Sequence, residues 1–101
     1  MTDREMLEFA AKAAGFVSYD HENSLATDMW SKGYRWNPLT SDADALRLAV
    51  RCDIAFMLET ERASATTNTG QRFTEWLGTD PYAATRRAIV RAAAIIGREM
   101  E

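Results

Sequence analysis

DPYAATRRAIVRAAAIIGR, residues 80–98, reads as a helix with a marked start. Asp80 can accept hydrogen bonds from the first free amides, and Pro81 suits the first helical position, where its missing N–H costs nothing. Ala84, Ala88, Ile89, Ala92, Ala93 and Ile96 then recur at helical spacing. The spacing predicts a helix over 81–98. Most of its stripe is alanine, so this helix can lie close against a sheet.

The sheet should come from the residues just before it. Ile54, Phe56 and Leu58 alternate with smaller or more flexible residues, the period of a half-buried strand. Asn68 and Gly70, within TERASATTNTGQRF (60–73), mark a hairpin tip near 66–70. A returning strand through Arg72, Thr74 and Trp76 would pair with 54–60, and Gly78 ends that pattern. Upstream, Ser41 or Thr40 caps a second helix over about 42–52. Ser41 and Asp44 have capping-box spacing, and Asp42 and Asp44 suit the positive end of the helix. Leu46, Ala49 and Val50 form its expected buried stripe, flanked by Leu48.

Thr2 and Glu5 form a capping box for a first helix over 3–14, with Met6, Phe9, Ala10 and Ala13 on one face and Gly15 placed to end it. FVSY (16–19) and YRW (34–36) have strand character. The polar tract between them, DHENSLATDMWSKG (20–33), reads as a loop or an irregular hairpin. Pro38 holds Asn37 extended, so the chain turns sharply into the second helix. Trp36 and Leu39 can pack that corner while Asn37 hydrogen-bonds the backbone. The order predicts one α+β domain over 1–101, in which a small antiparallel sheet of two to four strands packs against about three helices.

The 101 residues are 47% hydrophobic and 27% charged, ordinary values for a globular domain. No apolar run approaches the ~20 residues of a bilayer-spanning helix, and MTDREMLEF lacks the apolar centre of a signal peptide. A single cysteine, Cys52, fits a reducing compartment, so the expected location is the cytoplasm. A net charge of −3 argues against a general nucleic-acid binder. Ten of the twelve basic residues are arginine, the cation suited to planar, bidentate contacts with phosphate or carboxylate. A genome rich in G and C accounts for the same bias.

Catalytic groups are sparse. His21 and Cys52 are single, too few for a zinc site. Asp42, Asp44 and Asp53 could hold Mg²⁺, but helix capping accounts for them. Cys52 and His21 could form a nucleophile–base pair, although a thiol at the end of an amphipathic helix is more often buried and inert. The expectation is no enzyme, no metal and no cofactor. Arginine pairs remain: Arg47 and Arg51, and Arg87 and Arg91, each share a helix face at i, i+4. Solvated faces with ion pairs to Asp44, Glu75 or Glu99 are their ordinary role. Trp30, Tyr34, Trp36 and Trp76 could supply stacking surfaces for a base, or could fill a small core. The candidate ligand residues are therefore Trp30, Tyr34, Trp36, Asn37, Arg47, Arg51, Arg87 and Arg91.

Three segments, TDREMLEFAAKAAG, WNPLTSDADALRLAV and DPYAATRRAIVRAAAIIGREM, resemble segments of small proteins encoded by tailed phages and prophages, distantly similar to accessory proteins of phage Nin regions. Ser41 and Ala43 depart from the acidic and glycine residues common there. The resemblance implies a phage-encoded accessory protein in the host cytoplasm. It would bind and neutralise a host defence protein, or sequester a small anionic signal of the nucleotide type. It carries no catalytic activity with it. The alternative is a structural homo-oligomer in which the alanine-rich helix 81–98 packs against its own copy.

Overall fold

The computed structural model describes residues 1–100. Helix α1 (Asp3–Ala13) leads into strands β1 (Ser18–Asp20), β2 (Leu25–Thr27) and β3 (Gly33–Arg35). Helix α2 (Asp42–Arg51) precedes β4 (Ala55–Leu58), β5 (Arg62–Thr66) and β6 (Arg72–Trp76), and helix α3 (Pro81–Arg98) closes the chain. The fold is α+β, with two separate three-stranded antiparallel sheets, ordered β1-β2-β3 and β4-β5-β6.

All three helices start as their sequences direct. Asp80 Oδ1 accepts from the Tyr82 and Ala83 amides at 3.1 Å each, with Pro81 at the first position. Thr2 and Glu5 form both bonds of the capping box. Ser41 Oγ accepts from Asp44 N at 3.2 Å. Gly15 follows α1 at φ +91°, a conformation that costs a side-chain-bearing residue.

Helix α3 is the centre of the molecule. It packs against α1, against α2 and against all three strands of the second sheet. Ala88, Val90, Ala92, Ala93 and Ala94 lose all contact with solvent. Near its end, Gly97 crosses α1 so closely that a Cβ there would stand 1.8 Å from the Phe9 carbonyl oxygen. One hydrophobic cluster runs from α1 and α3 through α2 to Ala26 and Trp36 of the first sheet region and Ala65 of the second.

Two expectations need correction. The strands through Phe56 and Trp76 do not pair with each other. Both pair with β5, a central strand made of RASAT, in the registers Phe56↔Ala65 and Arg62↔Trp76. The first sheet follows the same plan. FVSY and YRW contribute to the outer strands, and the polar tract between them holds β2, LAT, which pairs with both. On α2 the buried face is Ala45, Leu48 and Ala49, and Leu46 and Val50 are exposed, Val50 at 76%. Both stripes have helical spacing, and the one containing the small Ala45 lets α2 approach α3. The alanine face of α3 packs against α1 and the second sheet.

The α1–α3 crossing can be tested by Gly97→Ala. The helix itself would gain about 1 kcal/mol of propensity, but the new methyl meets backbone that cannot step aside. Overpacking of this kind costs about 1–3 kcal/mol or more. We expect a net loss of about 2 kcal/mol and a melting temperature roughly 10 °C lower, read by circular dichroism. An unchanged or raised melting temperature would show that the two helices cross less tightly.

Candidate functional site

A cleft opens where the end of α1, strand β3 and helix α2 converge. Ala14, Gly15 and Phe16 form one side, Tyr34, Arg35 and Trp36 a second, and Asp44, Arg47, Leu48 and Arg51 a third, with Asp28 at the edge. The rotation of α2 decides this arrangement. At about 100° per residue, burying Ala45, Leu48 and Ala49 leaves Arg47 and Arg51 on the flank beside Leu48, facing the cleft.

Trp36 is the floor. It is 6% exposed and meets Phe16 and Tyr19 edge-on, at 5.3 and 5.8 Å between ring centres. Tyr34 stands above it, exposed, with its hydroxyl donating to Asp28 Oδ2 at 3.1 Å. The other Asp28 oxygen accepts from the Trp30 and Lys32 amides at 2.9 and 3.0 Å. These bonds, that from Lys32 N foremost, hold the Asp28 carboxyl below its ordinary 3.8. The bond to Asp28 in turn pushes the Tyr34 phenol above 10.0. Asp44 is similarly engaged: its Oδ2 accepts from Asn37 N at 3.0 Å.

The cations are less committed. Arg47, 79% exposed, reaches Asp44 only at 3.9 Å. Among the described residues, neither Arg35 nor Arg51 has a carboxylate within 4 Å. The Arg51 guanidinium lies over Gly15, where a Cβ would come within 2.9 Å of Nη2. A side chain at Gly15 would thus crowd Arg51 as well as strain the turn. The cleft therefore holds three guanidinium groups against two carboxylates that are already satisfied by backbone amides.

Of the eight candidate residues, the structure brings Tyr34, Trp36, Arg47 and Arg51 to this cleft. The other four lie elsewhere. Trp30, 77% exposed, sits at the β2–β3 turn and does not line the cleft. Asn37 builds the corner: its Oδ1 accepts from Leu39 N at 3.0 Å, and its carbonyl accepts from Thr40 and Ser41. Arg87 bonds Asp3 at 3.0 Å and approaches Glu75. Arg91 bonds Glu75 and the Thr74 carbonyl and lies over the Phe73 ring. Both tie α3 to its neighbours. Trp36 is too buried to offer a stacking face, and Trp76 is exposed under Arg62 instead of packed in the core.

Phe16, Arg35 and Gly15 also line the cleft, beyond the eight candidates. Gly15 carried a signal, since a helix-ending glycine leaves an open space beside the chain. Arg35 sits between two candidate aromatics, but no spacing pattern in the sequence marked it. Cys52 is half-buried, and burial pushes its thiol above 9.0, which disfavours the thiolate. His21 Nδ1 is hydrogen-bonded to Tyr19 OH at 3.1 Å. Among the described residues, no group of three His, Cys, Asp or Glu side chains converges as metal ligands would, and no helix is long and apolar enough to cross a membrane. The chain matches no family model, no curated protein and no solved structure.

Asp28 organises the cleft's edge through its carboxylate, so its contribution should depend on pH. Its pKa is depressed in the fold, so the contribution is complete above about 3.8 and is lost as pH falls through the lowered value. Asp28→Ala removes the same bonds at neutral pH. Loss of that acceptor should speed amide exchange at both Trp30 and Lys32. Hydrogen exchange followed by NMR reads this directly. Unchanged rates at both amides would mean that the turn holds itself.

Proposed function

We propose that the cleft captures a small anion bearing a planar ring, of the nucleotide class, and does so without transforming it. The observation that carries this reading is the position of Arg35 and Arg51, two guanidinium groups on one cleft without carboxylate partners among the described residues. A phosphate can take both bidentately, with Arg47 close enough to leave its long contact with Asp44. The exposed Tyr34 ring and the neighbouring Phe16, 6.4 Å apart between centres, offer apolar surface for a base. A guanidinium displaced from water by an apolar wall binds an anion more strongly than one on an open surface.

Capture fits the available chemistry better than turnover. The groups lining the cleft are arginines, aromatics and two carboxylates engaged by amides, and neither Cys52 nor His21 lines it. The resemblance to phage accessory proteins supplies a setting in which sequestering a nucleotide-type defence signal of the host would be useful.

The test is a thermal-shift and calorimetric screen against cyclic and linear nucleotides. A ligand at a hundredfold excess over Kd stabilises by about 2.7 kcal/mol, a rise in melting temperature of roughly 10 °C. Arg51→Ala or Arg47→Ala should weaken binding about tenfold to a hundredfold while changing stability by less than about 1 kcal/mol. Arg87→Ala, which lies outside the cleft, should leave affinity unchanged. Full-strength binding by the Arg47→Ala/Arg51→Ala double variant, or no shift with any nucleotide at millimolar concentration, would overturn the assignment.

A further inference from the structure

Each sheet has two edges, and an open edge is a template for another strand. In the first sheet both edges, β1 and β3, are only three residues long. In the second, β6 carries Arg72 and Glu75. Leu77 N donates to Glu61 O, so alternation along the ladder turns the Thr74 carbonyl away from β5. Arg91 occupies that outward carbonyl at 3.0 Å. This edge is charged and closed.

Strand β4 has none of these protections. Residues 54–58 include no charge and no proline, and all four residues of the strand are exposed. Glu59 N donates to Arg62 O at 2.7 Å, so the same alternation turns the N–H and C=O of Phe56 and Leu58 outward, away from β5. Among the described residues, neither group meets another backbone partner outside the sheet. Beside this edge lies an apolar groove formed by Leu46, Phe56, Leu58 and Tyr82.

We propose that β4 pairs antiparallel with β4 of a second copy about a two-fold axis at Met57, joining two second sheets into one of six strands. The register follows from the outward groups. Phe56 would exchange both backbone hydrogen bonds with Leu58 of the second copy, Leu58 with Phe56, and Met57 would face Met57. The pairs of Phe56 with Leu58 and of Met57 with Met57 are large and apolar, Ala55 faces Glu59, and no like charges meet within the strand. Beyond it the chain turns away, at Asp53 with φ +57°.

The exposed area suits this occupant. Leu46, Phe56, Met57, Leu58 and Tyr82 are each at least 43% exposed, which amounts to on the order of 500 Å² of apolar surface per copy. Two copies would bury at most about 1,000 Å², below the roughly 1,200 Å² of stable specific interfaces. The expected dimer is therefore weak and concentration-dependent.

Sedimentation of the whole chain tests this. Between about 5 and about 500 µM, the mass should rise from 11.4 kDa toward twice that value. Met57→Lys puts two like charges face to face at the axis and should raise Kd at least about tenfold, because such a juxtaposition is strongly unfavourable. Met57→Glu should do the same. Met57 is exposed, so both variants should keep the wild-type melting temperature of the dilute monomer. Mixed in equal amounts, the two variants should recover a heterodimer, since an ammonium and a carboxylate then face each other at the axis. A wild-type chain that stays monomeric throughout, including one whose β4 is taken by a different protein, overturns the proposal. So does a dimer indifferent to Met57→Lys, or a mixture that fails to associate.

Discussion

The closest constraint in this molecule is the crossing of its two terminal helices. Gly97 leaves no room for even a methyl group against the Phe9 carbonyl, so α1 and α3 meet backbone to backbone. Many of the buried residues on the two helices are correspondingly small. α1 presents Ala10, Ala11 and Ala14, and α3 presents Ala88, Ala92, Ala93 and Ala94. The sheet beneath α3 conforms as well. Its central strand presents Ala63 and Ala65, both without solvent contact. Small residues bury less apolar area each, but they let three layers lie close enough for dispersion contacts to accumulate.

That close packing also places the candidate site. α2 must approach α3 with its smaller face, and so it buries Ala45 in place of Leu46. One flank of the helix then carries Arg47 and Arg51 into the cleft beside Trp36, while the other exposes Leu46 next to β4. The proposed anion-binding cleft and the apolar edge are two sides of a single helix rotation. The cleft's other walls depend on α1 ending at Gly15, which lets the chain turn and leaves space for the Arg51 guanidinium.

The remaining arginines show why charge alone does not mark a site. Arg86 bonds the Leu39 carbonyl and Asp42, Arg87 bonds Asp3, and Arg91 bonds Glu75 and Thr74. Each fastens α3 to a different part of the chain. Spacing at i, i+4 is identical for Arg47 with Arg51 and for Arg87 with Arg91. What separates the two pairs is the presence of carboxylates opposite, and that belongs to the tertiary structure.

The chain's local signals were legible in the sequence by itself: the three helices, their caps at Thr2, Ser41 and Asp80, the turn at Asn37-Pro38, and the α+β class. These rest on interactions between residues a few positions apart, which a linear reading contains. The outer strands of the second sheet were visible for the same reason, through the alternation of Ile54, Phe56 and Leu58 and the run Arg72, Thr74 and Trp76. Both central strands were hidden. LAT lies in a polar tract, and RASAT buries Ala63 and Ala65 beneath α3, where there is little room for larger side chains. Which face α2 buries, which arginines find partners, and whether Trp36 or Trp76 enters the core were likewise decided in three dimensions. In each case the sequence offers more than one local choice, and contacts between residues far apart in the chain select one.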